Sequence, residues 1–142
     1  MTAGAVADRE PSVFDIADET DLIWVRKVLR NEAETVGLNL VDATKLITAG
    51  SELARNILYY ATGGRGRMSV EQVYRQGRLG VRATFADDGP GIADIDAALT
   101  DGYSTRGSLG LGLPGARRLV DDMTLTSVAG SGTTVVIVKW QR

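Results

Sequence analysis

Residues 79–92 read LGVRATFADDGPGI. Through Ala86 the stretch is rich in strand-forming residues, and from Asp87 onward it is a polar, glycine-bearing loop. Upstream, residues 68–76 have the same strand character, and Gln76-Gly77-Arg78 supplies a turn, so the two runs predict a hairpin. Before them the hydrophobic period becomes helical. Leu22, Val25, Leu29, Ala33 and Val36 recur at three- and four-residue steps, with Asp18 or Thr20 placed to cap the helix and Gly37 to stop it. A second helix is expected from near Asp42, whose side chain can accept from freed backbone N–H groups. Its buried side is read as Ala43, Leu46, Ile47, Gly50, Leu53, Ala54, Ile57 and Ala61. Residues 12–16, SVFDI, suit a short edge strand.

Downstream, residues 87–105 predict a loop with one helical turn around 92–99. A helix over 112–122 and a closing hairpin of 123–128 with 133–140 follow. This order of elements gives an α+β fold, a two-layer α/β sandwich with helices on one face of a mixed, mostly antiparallel sheet. Residues 1–11 read as a disordered tail and 12–142 as one domain.

Composition removes whole classes of chemistry. The 142 residues suit one domain, 44% are hydrophobic, and a core of ordinary size is available. A net charge of -2 suggests no general affinity for nucleic acid or anionic lipid. The chain has no cysteine, hence no disulfide, thiolate nucleophile or thiolate-held metal. It has no histidine either, which removes a Ser-His-Asp triad, histidine-ligated metals and phosphohistidine. Acid–base work falls to Asp, Glu, Lys or Tyr, and a metal would be a hard, oxygen-seeking one, which points toward magnesium. The amino terminus lacks the basic and apolar regions of a signal peptide, and no apolar run approaches a membrane span. A cytoplasmic protein is expected.

Three short stretches could carry chemistry. In Ser51-Glu52-Leu53-Ala54-Arg55-Asn56, Glu52 and Asn56 stand one turn apart on nearly the same helix face. An amide oxygen can ligate magnesium, and a carboxylate one turn earlier can take a proton from a hydroxyl or water. A solvated helix face would use the same residues. In Asp87-Asp88-Gly89-Pro90-Gly91-Ile92 an acid held at a strand end is followed by glycines that let backbone approach a ligand. A carboxylate there suits an exocyclic amine such as that of adenine, although a plain tight turn has the same composition. Gly107-Ser108-Leu109-Gly110-Leu111-Gly112-Leu113 opens a helix bearing Arg117 and Arg118 and so offers free N–H groups to phosphate. It lacks the Gly-Lys-Ser/Thr ending of a Walker A loop and the βαβ setting of a dinucleotide fingerprint. A flexible linker is the alternative.

The order and context of these stretches resemble the GHKL superfamily of ATPases and kinases. SELARN looks like its N box, DDGPGI like G1 and GLGLPG like G2, and Gly130-Ser131-Gly132-Thr133 resembles the closing glycine–threonine motif. The resemblance spans residues 12–140. It implies a fold of the histidine-kinase-like ATPase type with ATP and Mg2+ as ligands. Asn56 would coordinate magnesium and Glu52 would be the general base. Asp87 would recognise the adenine amine with Thr133 in support through water, and Gly89 and Gly91 would let the ring sit close. Gly110 and Gly112 would contact phosphate, Ile92 and Leu111 complete the nucleotide set, and residues 92–109 would form a lid. Ser108 stands where the family commonly has a glycine.

Size leaves no room for the transducer domains of gyrase- or Hsp90-type enzymes, and the absence of histidine argues against a sensor histidine kinase. The remaining small class resembles bacterial anti-sigma factors and switch kinases. The SELARNILYYA wording looks closest to the switch kinases, which act on a serine of a STAS-domain antagonist and then bind a downstream phosphatase. The expectation is therefore a protein serine/threonine kinase with no nucleic-acid or membrane partner. An anti-sigma factor that sequesters sigma, or a nucleotide-responsive binding module with little catalysis, are the alternatives.

Overall fold

The computed structural model describes residues 4–5, 11–60, 65–89, 112–128 and 130–142. Helix α1 covers Glu19–Thr35. Asp18, rather than Thr20, is its cap: one carboxylate oxygen accepts from the N–H groups of Thr20 and Asp21 at 2.9 and 3.3 Å. Asp21 returns the favour by accepting from the N–H groups of Ala17 and Asp18 at 2.8 and 3.2 Å. This reciprocal box satisfies donors that a helix start would otherwise leave bare. The helix closes where Gly37 takes a φ of 77° and Leu38 N–H donates to Ala33 O at 2.9 Å.

Helix α2 covers Leu40–Tyr60, starting slightly earlier than its apolar pattern suggests. Asn39, not Asp42, does the capping, its side-chain oxygen accepting from Asp42 N–H at 2.8 Å. Asp42 is instead buried, 6% exposed, and serves as an ion-pair partner for Lys139. The predicted buried stripe is largely present, with Ile47 only half-buried, Ala49 added, and Ala61 outside the described residues.

Among the described residues six strands make one sheet: β1 (Gly4–Ala5), β2 (Ser12–Ile16), β3 (Gly66–Arg75), β4 (Arg78–Asp87), β5 (Asp122–Val128) and β6 (Gly132–Trp140). The order is β1-β3-β4-β6-β5, with β2 also pairing to β3. The segment read as a tail thus supplies Gly4 and Ala5 to the sheet, opposite Tyr74 and Val73. Every pairing among the described residues is antiparallel, so that part of the sheet is not mixed. Two tight hairpins supply most of it, and such turns join only antiparallel neighbours. In the first hairpin Gln76 and Gly77 have φ of 52° and 83°, a two-residue turn whose twist matches that of the strands.

Helix α3 covers Gly112–Leu119, shorter than the predicted 112–122 because Asp122 already begins β5. Helices α1, α2 and α3 cover one face of the sheet, with α2 packed against both α1 and α3. Ile16, Met68, Val81, Ala83, Phe85 and Ile137 of the sheet meet Leu29, Leu46, Leu53 and Ala116 of the helices in one core. Each fully buried large aliphatic or aromatic side chain there contributes about 1.5–3 kcal/mol. At Gly50 a Cβ would press into Leu29 and Phe85, so glycine lets α1, α2 and β4 close on one another. On the opposite face Val73, Val138 and Trp140 form a small separate cluster.

Candidate functional site

Strand register gathers the first part of the site. Gly66 on β3 is opposite Asp87 on β4, Asp87 is opposite Thr133 on β6, and Thr133 is opposite Ser127 on β5. Side chains alternate along a strand, so this row shares the helix-covered face with Val81, Ala83 and Phe85. It lies at the sheet end reached by the carboxyl-terminal turns of α2. There a Cβ at Gly66 would come within 2.8 Å of Ile57 Cγ2, so glycine permits the close approach of helix and strand.

The two adjacent acids have separate fates. Asp88 points outward, 87% exposed, with Arg67 at 3.8 Å. Asp87 is half-buried, and its Oδ1 accepts from the N–H of buried Gly89 at 2.8 Å. That bond fixes the carboxylate at the strand end and leaves acceptor capacity on its second oxygen. Opposite it, Thr133 Oγ1 lies 3.0 Å from Ser127 Oγ. Ser127 donates to Gly132 O at 3.1 Å, so Thr133 supplies the proton of the hydroxyl pair and keeps lone pairs of its own. Asp87 and Thr133 are then two neighbouring acceptors. Gly132, with φ of 105°, packs so tightly on Asp87 that a Cβ there would collide with the Asp87 carbonyl.

The second part lies on α2. Ser51 faces α1, where its hydroxyl accepts from Arg26 Nε at 3.2 Å. Helical period turns Glu52 and Asn56 to the other flank, the side on which α3 packs. Glu52 is 16% exposed, and Arg55 Nη1 donates to its Oε1 at 2.9 Å, holding the carboxylate in one orientation with Oε2 unpartnered among the described residues. Asn56 is half-buried and makes no side-chain hydrogen bond to another described residue. Among the described residues no three acids gather into a metal cage.

Of the residues expected from sequence, Glu52 and Asn56 stand on α2, Asp87 and Gly89 at and just beyond the end of β4, and Thr133 at the start of β6. Gly112 opens α3 with φ of 24°. Gly91, Ile92, Gly110 and Leu111, and the predicted lid over 92–109, lie outside the described residues. Sequence reasoning missed Ser127, Gly66 and Arg55. Ser127 was within reach of a register count across the closing hairpin, but strand ends drawn one residue differently hide it.

A charged cluster stands at the opposite end of α2. Lys139, 3% exposed, lies 3.5 Å from both Asp42 and Asp121. Arg142 bonds both acids in turn, and Trp140 N–H donates to Asp121 at 2.7 Å. Burial works to raise the Asp121 carboxyl. The Trp140 N–H and the charges of Lys139 and Arg142 outweigh that and hold it below the ordinary carboxylate range.

The chain has counterparts of known activity. It is 45% identical over 133 residues to serine/threonine-protein kinase RsbT of Bacillus subtilis (strain 168), covering 94% of this chain and 98% of that protein. The solved structure of the mycobacterial sensor histidine kinase MprB superposes with a TM-score of 0.53 at 18% identity, over 94% of this chain and 99% of that one. At that identity the likeness concerns the fold. Residues 41–142 match the family described as histidine kinase-, DNA gyrase B-, and HSP90-like ATPase, and the chain belongs to that family.

Proposed function

We propose that this protein is a Mg-ATP-dependent serine/threonine protein kinase that phosphorylates a STAS-domain antagonist in the cytoplasm. The observation that carries this reading is the pairing of Glu52 and Asn56, one turn apart on α2, in a chain with a kinase relative of nearly the same length. Asp87 and Thr133 present two acceptors to the amine of adenine, and Gly89, with Gly91 beyond it, leaves room for the ring. Asn56 offers its amide oxygen to magnesium. That donor set fits a cation that otherwise takes water and phosphate oxygens. When bound, the ion would neutralise charge on the phosphates.

Glu52 then acts as the base. Its Oε2 takes the proton of the incoming serine hydroxyl while that oxygen attacks the terminal phosphorus and the bond to ADP breaks. Arg55 keeps the carboxylate aimed. Gly110, Leu111 and Gly112, with Ile92, complete the nucleotide contacts. Release from the antagonist would free the kinase to bind a downstream phosphatase.

The test is phosphate transfer from terminally labelled ATP with magnesium in lysate of the source organism. Label on serine of one small protein is expected. No transfer by a preparation that binds Mg-ADP would contradict the kinase reading.

A further inference from the structure

The end of the sheet remote from Asp87 holds a second, differently built cavity. The run of β6 from Thr133 to Trp140 spans about 23 Å at the usual strand rise. At its far end Arg75, Gln76, Arg78 and Trp140 line a cavity of about 280 Å³. Arg75 and Arg78 are register partners, the last pair before the β3–β4 turn. Like charges directly opposite each other on neighbouring strands repel. Asp122 compensates one of them, bonding Arg75 at 3.2 Å and accepting from the Trp140 indole N–H at 2.9 Å. The Arg75 guanidinium carbon also lies over the Trp140 ring, 4.4 Å from its centre, and that ring fills the space a side chain at Gly80 would need. Arg78 is exposed and has no carboxylate within ion-pair distance among the described residues.

Gln76 is the second observation. It is the one non-glycine residue with positive φ among the described residues, at 52°. A turn of this kind prefers Asn-Gly, and a longer side chain in the left-handed region costs backbone energy. Strain of this sort is kept where a side chain has work to do. Gln76 lines the same cavity as Arg78, whose charge is uncompensated among the described residues.

We propose that this pocket binds a carboxylate side chain of a protein partner, with Arg78 as the charged donor, Gln76 as the amide donor and the Arg75–Trp140 stack as its floor. The cavity is smaller and more polar than sites for whole small molecules, which suits the end of one acidic side chain. A planar guanidinium matches a carboxylate with two parallel N–H donors. The site is independent of the nucleotide-binding reading.

The test is a titration of nitrogen-labelled protein with a hexaglutamate peptide, followed by the Trp140 indole and Gln76 side-chain resonances. A saturable shift that weakens with added salt is expected, with Arg78→Ala binding at least tenfold more weakly at an unchanged melting temperature. Gln76→Asn should raise the melting temperature and weaken peptide binding together. Absence of a saturable shift, or equal binding by wild type and both variants, would overturn the proposal. Inorganic phosphate binding as tightly as the peptide would overturn the choice of a protein partner.

Discussion

Asp87 and Thr133 are register partners on adjacent strands, and each is fixed by a neighbour: Asp87 by the N–H of Gly89, Thr133 by the hydroxyl of Ser127. A group carrying two protons on one nitrogen can satisfy both acceptors. A ring with a carbonyl at that place would leave them facing an oxygen. We therefore expect Asp87→Asn to weaken Mg-ADP binding by roughly 10- to 100-fold, the worth of one hydrogen bond to a charged group. The variant retains an oxygen for Gly89, so its melting temperature without nucleotide should change little. Calorimetric titration and thermal unfolding of the same samples check both parts.

Ser127 acts through Thr133. In Ser127→Ala the Thr133 hydroxyl loses its acceptor and turns freely. We expect about 1 kcal/mol less nucleotide binding, roughly fivefold. Thr133→Val should cost at least as much. Equal ADP affinity for wild type and both variants would remove the hydroxyl pair from recognition.

The closing hairpin allows a comparison of two glycines. Gly130 has φ of 81° and open space around its missing side chain, whereas Gly132 has φ of 105° and the Asp87 backbone in the way. Gly130→Ala should cost about 1–2 kcal/mol, the backbone term alone. Gly132→Ala carries that term plus displacement of the strand bearing Asp87. Urea unfolding should rank Gly132→Ala clearly below Gly130→Ala, and only the former should also lose nucleotide.

Asp121 ties β5 and β6 to the carboxyl terminus, and its folded carboxyl is held below the ordinary range. In the unfolded chain it takes up a proton near pH 3.9, about the usual value. Its contribution is thus complete above that pH and is lost as pH falls through the lower folded value. The urea midpoint of wild type should therefore drop below about pH 4 more steeply than that of Asp121→Asn. At pH 7 the variant should already be less stable, by about 1–3 kcal/mol. Parallel curves for the two proteins would contradict this role.

Much of the fold was legible because its signals are local. The stripe from Leu22 to Val36 and the Gln76-Gly77 turn each need only a few neighbouring residues to be read. Within the proposed site, the Glu52 and Asn56 spacing is readable because a single element, α2, carries it. What escaped depends on distant partners. Asp42 looks like a cap, and only Lys139 and Arg142, far along the chain, show why it is buried. Nor does a single strand show that Ser127 faces Thr133, since that depends on register. The pairing of Gly4 and Ala5 with β3 is similarly invisible, because two small residues carry no period.

The central claim is that Glu52 moves the proton while Asn56 serves the metal. The most direct test compares phosphate transfer and Mg-ADP affinity for wild type, Glu52→Gln and Asn56→Ala, using a purified STAS-domain substrate. Glu52→Gln should lose about 10²- to 10⁴-fold in transfer rate with its affinity nearly intact. Asn56→Ala should need far more magnesium for both. Transfer by Glu52→Gln at the wild-type rate would contradict the account.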